Sequence, residues 1–72
     1  MSTDVMIHIN ESLAITKQQE LESELSGVAG VISTKFNKPH LLFVDYDTSH
    51  TSSQLLLNCI TDKGYQAQLV GL

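Results

Sequence analysis

The chain has a single cysteine, a single proline, two tyrosines, two phenylalanines, and only four basic residues, Lys17, Lys35, Lys38 and Lys63. Each scarcity excludes something. One cysteine cannot close an internal disulfide, so a reducing, cytoplasmic setting is expected. Four basic residues against eight acidic ones leave a net charge of −4. With no clustered positive charge, no nucleic acid is expected as a partner, and anionic lipid would repel the chain. No apolar run approaches the roughly 20 residues of a spanning helix, and the polar first residues lack the apolar core of a secretion signal. No serine or cysteine stands beside a placed histidine, and no carboxylate pair marks a pocket. The expectation is a non-catalytic protein without a cofactor.

What is present suits one small folded unit. Seventy-two residues at 42% hydrophobic content make a single domain over 1–72, near the lower size limit for a core without staples. Val5, Ile7 and Ile9 alternate with Met6 and His8, the period of a half-buried strand. Asn10-Glu11-Ser12 breaks that strand. Leu21, Leu25 and Val28 then recur at helical spacing, with Gln18 on the same stripe, and Glu20, Glu22 and Glu24 spread over the solvent side. The spacing predicts a helix over about Leu13 to Ser26, with Thr16 and Gln19 as an alternative capping box and Gly27 ending it.

Gly30 opens a second strand, Val31 to Phe36, and Asn37-Lys38-Pro39-His40 is a turn. Leu41 to Tyr46 is the strongest strand signal and completes a hairpin. Asp47 to His50 is a polar connection. Thr51-Ser52-Ser53-Gln54 reads as a capping box before a second helix bearing Leu55, Leu56, Cys59, Ile60 and Lys63. Gly64 ends it, and Tyr65, Ala67 and Leu69 alternate as a last strand. The order β-α-β-β-α-β is the ferredoxin-like α+β plan. Right-handed crossovers give one four-stranded antiparallel sheet, in order 4-1-3-2, with both helices on one face. The loop after the first strand, the Asn37–His40 turn and the Gly64–Tyr65 turn then share one end of the domain.

Taken together, these residues resemble the heavy-metal-associated domain of copper chaperones and metal-transporting ATPases. The likeness rests on Val5-x-Ile7-x-Ile9, Leu21 and Leu25, Gly30-Val31, Phe36-Asn37, Val44-Asp45-Tyr46-Asp47 and Ile60-x-x-x-Gly64-Tyr65-x-Ala67, and it covers nearly the whole chain. Such domains carry Met-x-Cys-x-x-Cys where the first strand gives way to the first helix. Counted back from Gly30-Val31, the methionine position falls on Ser12 and the cysteine positions on Ala14 and Lys17. Two thiolates hold Cu(I) or Zn(II); alanine and lysine do not. The resemblance therefore implies the fold without the family's dithiolate site.

Several residues remain as candidates. An N/O site for a divalent ion would use His40, Glu11 and His8, with Asp62 nearby. Cys59, expected as a buried small hydrophobe, could hold a metal, Cu(I) included, only by pairing with a second copy. Lys17 and Lys63 could make a positive spot at the loop end. If Val5, Ile7, Ile9, Leu42, Val44 and Tyr46 face the helices, Met6, His8, Leu41 and Phe43 face outward. That would be an apolar patch suited to a protein partner or a homodimer, with Lys17 at the loop as a further contact. Tyr65 would pack beneath the loop and shape it, and with Lys17 it is a further candidate contact for a partner.

Overall fold

The computed structural model describes residues 1–70. Six elements follow one another: β1 (Ser2–Ile9), α1 (Ile15–Ser26), β2 (Val31–Lys38), β3 (Leu41–Asp47), α2 (Ser53–Thr61) and β4 (Ala67–Val70). This is the predicted order. The strands form one antiparallel sheet in the order β2-β3-β1-β4, the predicted 4-1-3-2 arrangement.

The core lies between the sheet and the two helices. Val5, Ile7 and Ile9 of β1 and Leu42, Val44 and Tyr46 of β3 are buried, and Leu21 and Leu25 of α1 and Leu56 and Ile60 of α2 close over them. The period of two in the strands and the spacing of four in both helices put these residues on facing surfaces. Full burial of each such side chain contributes about 1.5–3 kcal/mol, which makes this layer the main source of stability. Polar contacts fix α1 over the edge strand β2. The Phe36 amide donates to Glu22 Oε2 at 2.9 Å, and Thr34 Oγ1 donates to the Glu22 carbonyl at 3.2 Å.

Boundaries depart from the sequence reading where local chemistry competes. α1 begins at Ile15, with Ala14 as an N-cap that offers no side-chain acceptor; neither Leu13 nor a Thr16 cap opens it. Leu13 is drawn into the core instead. β2 runs on to Lys38, so the turn shrinks to Pro39 and His40. The cap of α2 is Ser52, whose Oγ accepts from the Leu55 amide at 3.2 Å, one residue after the expected Thr51. Thr51 is buried, and Gln54 donates to Asn58 rather than reaching back. β4 starts at Ala67 rather than Tyr65.

Two glycines hold left-handed turns, Gly30 at φ +94° and Gly64 at φ +97°. They differ in surroundings. A Cβ on Gly30 would come within 2.6 Å of the His50 Cβ, whereas nothing lies within 4 Å of one on Gly64. Gly30 thus closes the end of the domain opposite the first loop, where the Asp47 amide donates to the Gly30 carbonyl at 2.7 Å.

Candidate functional site

Strand directions bring the β1–α1 loop, the Pro39–His40 turn and the segment after α2 to one apex, as expected. The Ile9 amide donates to the His40 carbonyl and the Asn10 amide to the Gln66 carbonyl, both at 2.8 Å. Glu11 turns back across this junction, and its two carboxylate oxygens accept from the Gln66 amide at 3.0 and 3.2 Å. The loop is also held from within, since Gln18 Nε2 donates to the Leu13 carbonyl at 2.9 Å. Tyr65 packs, half-buried, against the core beneath the apex.

The positions that would carry thiolates stand at the start of α1. Ala14 is the extended N-cap (φ −64°, ψ 157°), and Lys17 lies in the first turn, its ammonium 3.4 Å from Glu20. Both side chains are exposed, as is Ser12. A cation here would meet an ammonium and no soft donor. The expected pairing of Lys17 with Lys63 does not form, because Lys63 is ion-paired with Glu24. Each lysine is held by a carboxylate of α1 instead. The same contacts correct the picture of Glu20, Glu22 and Glu24 as a purely solvated face: Glu22 is half-buried and serves the edge of β2.

The three candidate metal ligands separate into two and one. His8 and His40 stack, with ring centroids 5.9 Å apart and ring planes 15° from parallel. His40 Nδ1 lies 3.0 Å from the Ile9 carbonyl. Glu11 is engaged by Gln66, and among the described residues no three His, Cys, Asp or Glu side chains converge. Asp62 is the exposed C-cap of α2. His50 is at the opposite end, beside Asp47. Cys59 is half-buried rather than interior, packed against the core on the helical side of the sheet. It therefore cannot join His8, which is on the other side.

The open face of the sheet is read from its register. Met6 lies opposite Phe43 on one side and Val70 on the other, and Phe43 lies opposite Lys35. The next row toward the apex is Lys38, Leu41, His8 and Gln68. The row on the far side is Ser33, Asp45 and Asp4. Met6, His8, Leu41 and Phe43 are all half-buried, because neighbouring side chains on the pleated surface cover one another. The apolar band expected there is present. Sequence reasoning missed Val70 as its fourth side, although continuing the alternation of β4 by one residue would have found it. It also missed that the band separates an acidic end from a basic one.

Asp47 marks the far end of the molecule. The Ser49 backbone amide, the terminal amine, and the Ser49 hydroxyl all donate to its carboxylate, and His50 lies 3.1 Å away. These donors, the Ser49 amide foremost, hold the acid well below the usual carboxylate range. A shallow groove of about 310 Å³ beside it is lined by Gly30, Val31, Ile32 and His50 among others. The Asp47 oxygens are already committed to the protein's own donors.

No protein-family model matches the chain, and no curated protein matches it. Solved structures do. Oxidized MerP from Ralstonia metallidurans CH34 superposes with a TM-score of 0.87 at 19% identity, over 99% of this chain and 100% of that one. A copper-binding domain of HMA7, a P-type ATPase, gives 0.86 at 16% identity, over 99% and 96%. The N-terminal domain of a potential copper-translocating P-type ATPase from Bacillus subtilis, in its Cu(I)-loaded state, gives 0.84 at 20% identity, over 99% and 90%. The chain thus has the ferredoxin-like fold of these structures over nearly its full length. At such identities the likeness is one of fold.

Proposed function

We propose that this domain is a non-catalytic protein-contact module that keeps the heavy-metal-associated fold without a dithiolate metal site. The observation that carries the reading is the division of labour between apex and sheet. The apex presents Ser12, Ala14 and Lys17, none of them a soft-metal ligand, while the open face keeps an apolar band of Met6, Leu41, Phe43 and Val70. The fold's neighbours include proteins described as copper-binding or as metallochaperones. This chain shares their fold, and at the positions where the family resemblance would put thiolates it carries Ala14 and Lys17.

The occupant that the face fits is a second copy of the chain. A two-fold axis lying across the strands at the Met6–Phe43 row turns one sheet onto another and reverses its ends. Lys38, Leu41 and His8 of one copy then oppose Ser33, Asp45 and Asp4 of the other, which sets His8 opposite Asp4 and Lys38 diagonally from Asp45, while the row on the axis, Lys35 included, meets itself. Strand spacing of about 4.8 Å and a rise of about 3.3 Å per residue give the face roughly 400–500 Å². That is well short of the roughly 800 Å² per partner of a standard stable interface. The association is therefore weak and concentration-dependent.

Sedimentation velocity from micromolar to millimolar protein tests this. Phe43→Asp should leave a monomer at every concentration. The variants Asp4→Lys/Asp45→Lys and Lys35→Glu/Lys38→Glu should each be monomeric alone and associate when mixed. A wild-type chain that stays monomeric throughout would remove the second copy as occupant, leaving a different protein to be sought with the same variants. Equilibrium dialysis addresses the apex separately: stoichiometric submicromolar Cu(I) or Zn(II) binding by the wild-type chain would sink the reading of a lost dithiolate.

A further inference from the structure

The stacked imidazoles at the apex end of the open face have no part in the core and none in the loop that holds the fold's usual metal site. His8 projects from β1 and His40 from the β2–β3 turn, and their rings lie nearly parallel with centroids 5.9 Å apart. A carbonyl can only accept a hydrogen bond, so the 3.0 Å contact of His40 Nδ1 with the Ile9 carbonyl places the proton on Nδ1. The lone pair of the neutral ring is then on Nε2. This is the tautomer and the backbone support that metal-bound histidines generally use.

His8 is constrained in a different way. Its Nδ1 is buried without a hydrogen-bond partner in the described structure. The ring is otherwise half-exposed, so Nε2 is the nitrogen left for an outside ligand. Gln68 lies directly across from His8 in the β1–β4 register, on the same face of the sheet, and carries an amide oxygen. The charged group closest in register is Lys38, two strands away from His8 and opposite Leu41.

We propose that His8 and His40 form a two-imidazole site for a borderline divalent cation, Cu²⁺, Ni²⁺ or Zn²⁺, with Gln68 or water completing the coordination. Imidazole suits these ions, and bonds of about 2.0–2.1 Å let one ion bridge two facing rings after side-chain rotation. Glu11, held by the Gln66 amide, is not a ligand. Two protein nitrogens, an uncompensated buried Nδ1–H on His8 and the nearby Lys38 hold the affinity to the micromolar range. Cu²⁺ binds more tightly than Ni²⁺ or Zn²⁺, following the general order for nitrogen sites. The site belongs to one chain and does not depend on self-association.

Titration of the full chain with ZnCl₂, followed by ¹H–¹⁵N NMR, tests the site. Shifts should cluster on His8, His40 and Gln68, and saturate at one equivalent. His8→Gln and His40→Gln should each weaken Zn²⁺ binding at least tenfold, whereas His50→Gln, a histidine at the far end, should leave it unchanged. Retained affinity in His8→Gln overturns the site, as do shifts centred on Cys59 or no saturable binding by the wild type. His8→Gln leaves the His40–Ile9 contact intact, so it decides the matter even if His40→Gln loosens the turn. Phe43→Asp should bind Zn²⁺ as the wild type does, which separates this site from the contact surface.

Discussion

Placing two thiols at the apex tests whether it has the geometry of a metal-holding loop. The perturbation is Ala14→Cys/Lys17→Cys. Ala14 is the N-cap of α1 and Lys17 sits three residues on, so the two side chains rise from the same side of the first turn with Cβ atoms about 5–6 Å apart. Two sulfurs at about 2.3 Å from a metal span up to about 4.6 Å, which that separation accommodates. The exposed helix N-terminus favours the thiolate form. The substitution also removes the Lys17 ammonium, at the loss of one exposed ion pair with Glu20 worth about 0–1 kcal/mol. Both sites being exposed, stability should change by about 0.5 kcal/mol or less. Competition with a chromophoric Cu(I) chelator under reducing, anaerobic conditions should show at least a roughly thousandfold gain in affinity, about 4 kcal/mol. A variant with a native-like NMR spectrum and no such gain would refute the reasoning. It would mean that residues 10–17 do not occupy the metal loop's conformation.

Three further outcomes follow from local geometry. Gly30→Ala should destabilise the domain by about 2 kcal/mol or more in urea titration, since a strained φ adds to a 2.6 Å clash with His50, while Gly64→Ala, with the same sign of φ and open space, should cost about 1 kcal/mol; equal losses would contradict the contact. Ser52→Ala should cost about 1 kcal/mol through the lost cap of α2, measured by thermal unfolding, and Ser53→Ala far less. Asp47 has its folded-state pKa lowered, so its stabilising contribution is present above the unfolded carboxylate value and is lost as pH falls below it. Asp47→Asn should therefore flatten the fall in stability between about pH 4 and pH 2, and an unchanged acid limb would reject Asp47 as its source.

Most of the fold could be read from the chain because its core obeys two clean periods. Val5-x-Ile7-x-Ile9 and Leu42-x-Val44-x-Tyr46 set both the strands and the face they bury, and a register slip of one would have exposed all six. Helix ends were harder. Thr16-x-x-Gln19 and Thr51-x-x-Gln54 both match a capping pattern, yet neither acts as one. In the first, burial of Leu13 lets the helix start earlier than Thr16. In the second, burial of Thr51 hands the cap to Ser52. Local hydrogen-bond preference is worth about 1 kcal/mol, and burying the Leu13 side chain is worth more, so packing decides the first boundary.

The candidate site was legible in its topology and not in its contacts. Strand order alone places Glu11, His40 and the residues after Gly64 at one end, and they are there. What the order leaves open is which polar groups satisfy one another. Glu11 could face His40 or the β4 entry, and the unpaired Gln66 amide settles the choice, because an orphaned backbone donor is costly and a carboxylate with two acceptors relieves it. The same competition withdraws Lys17 and Lys63 from each other and gives each a glutamate. His8 and His40 are what remains once those demands are met. Their closeness comes from the β1–β3 register, which sets His8 against Leu41, the residue after His40. The register brings the two side chains together, and two imidazoles are what make the contact chemical.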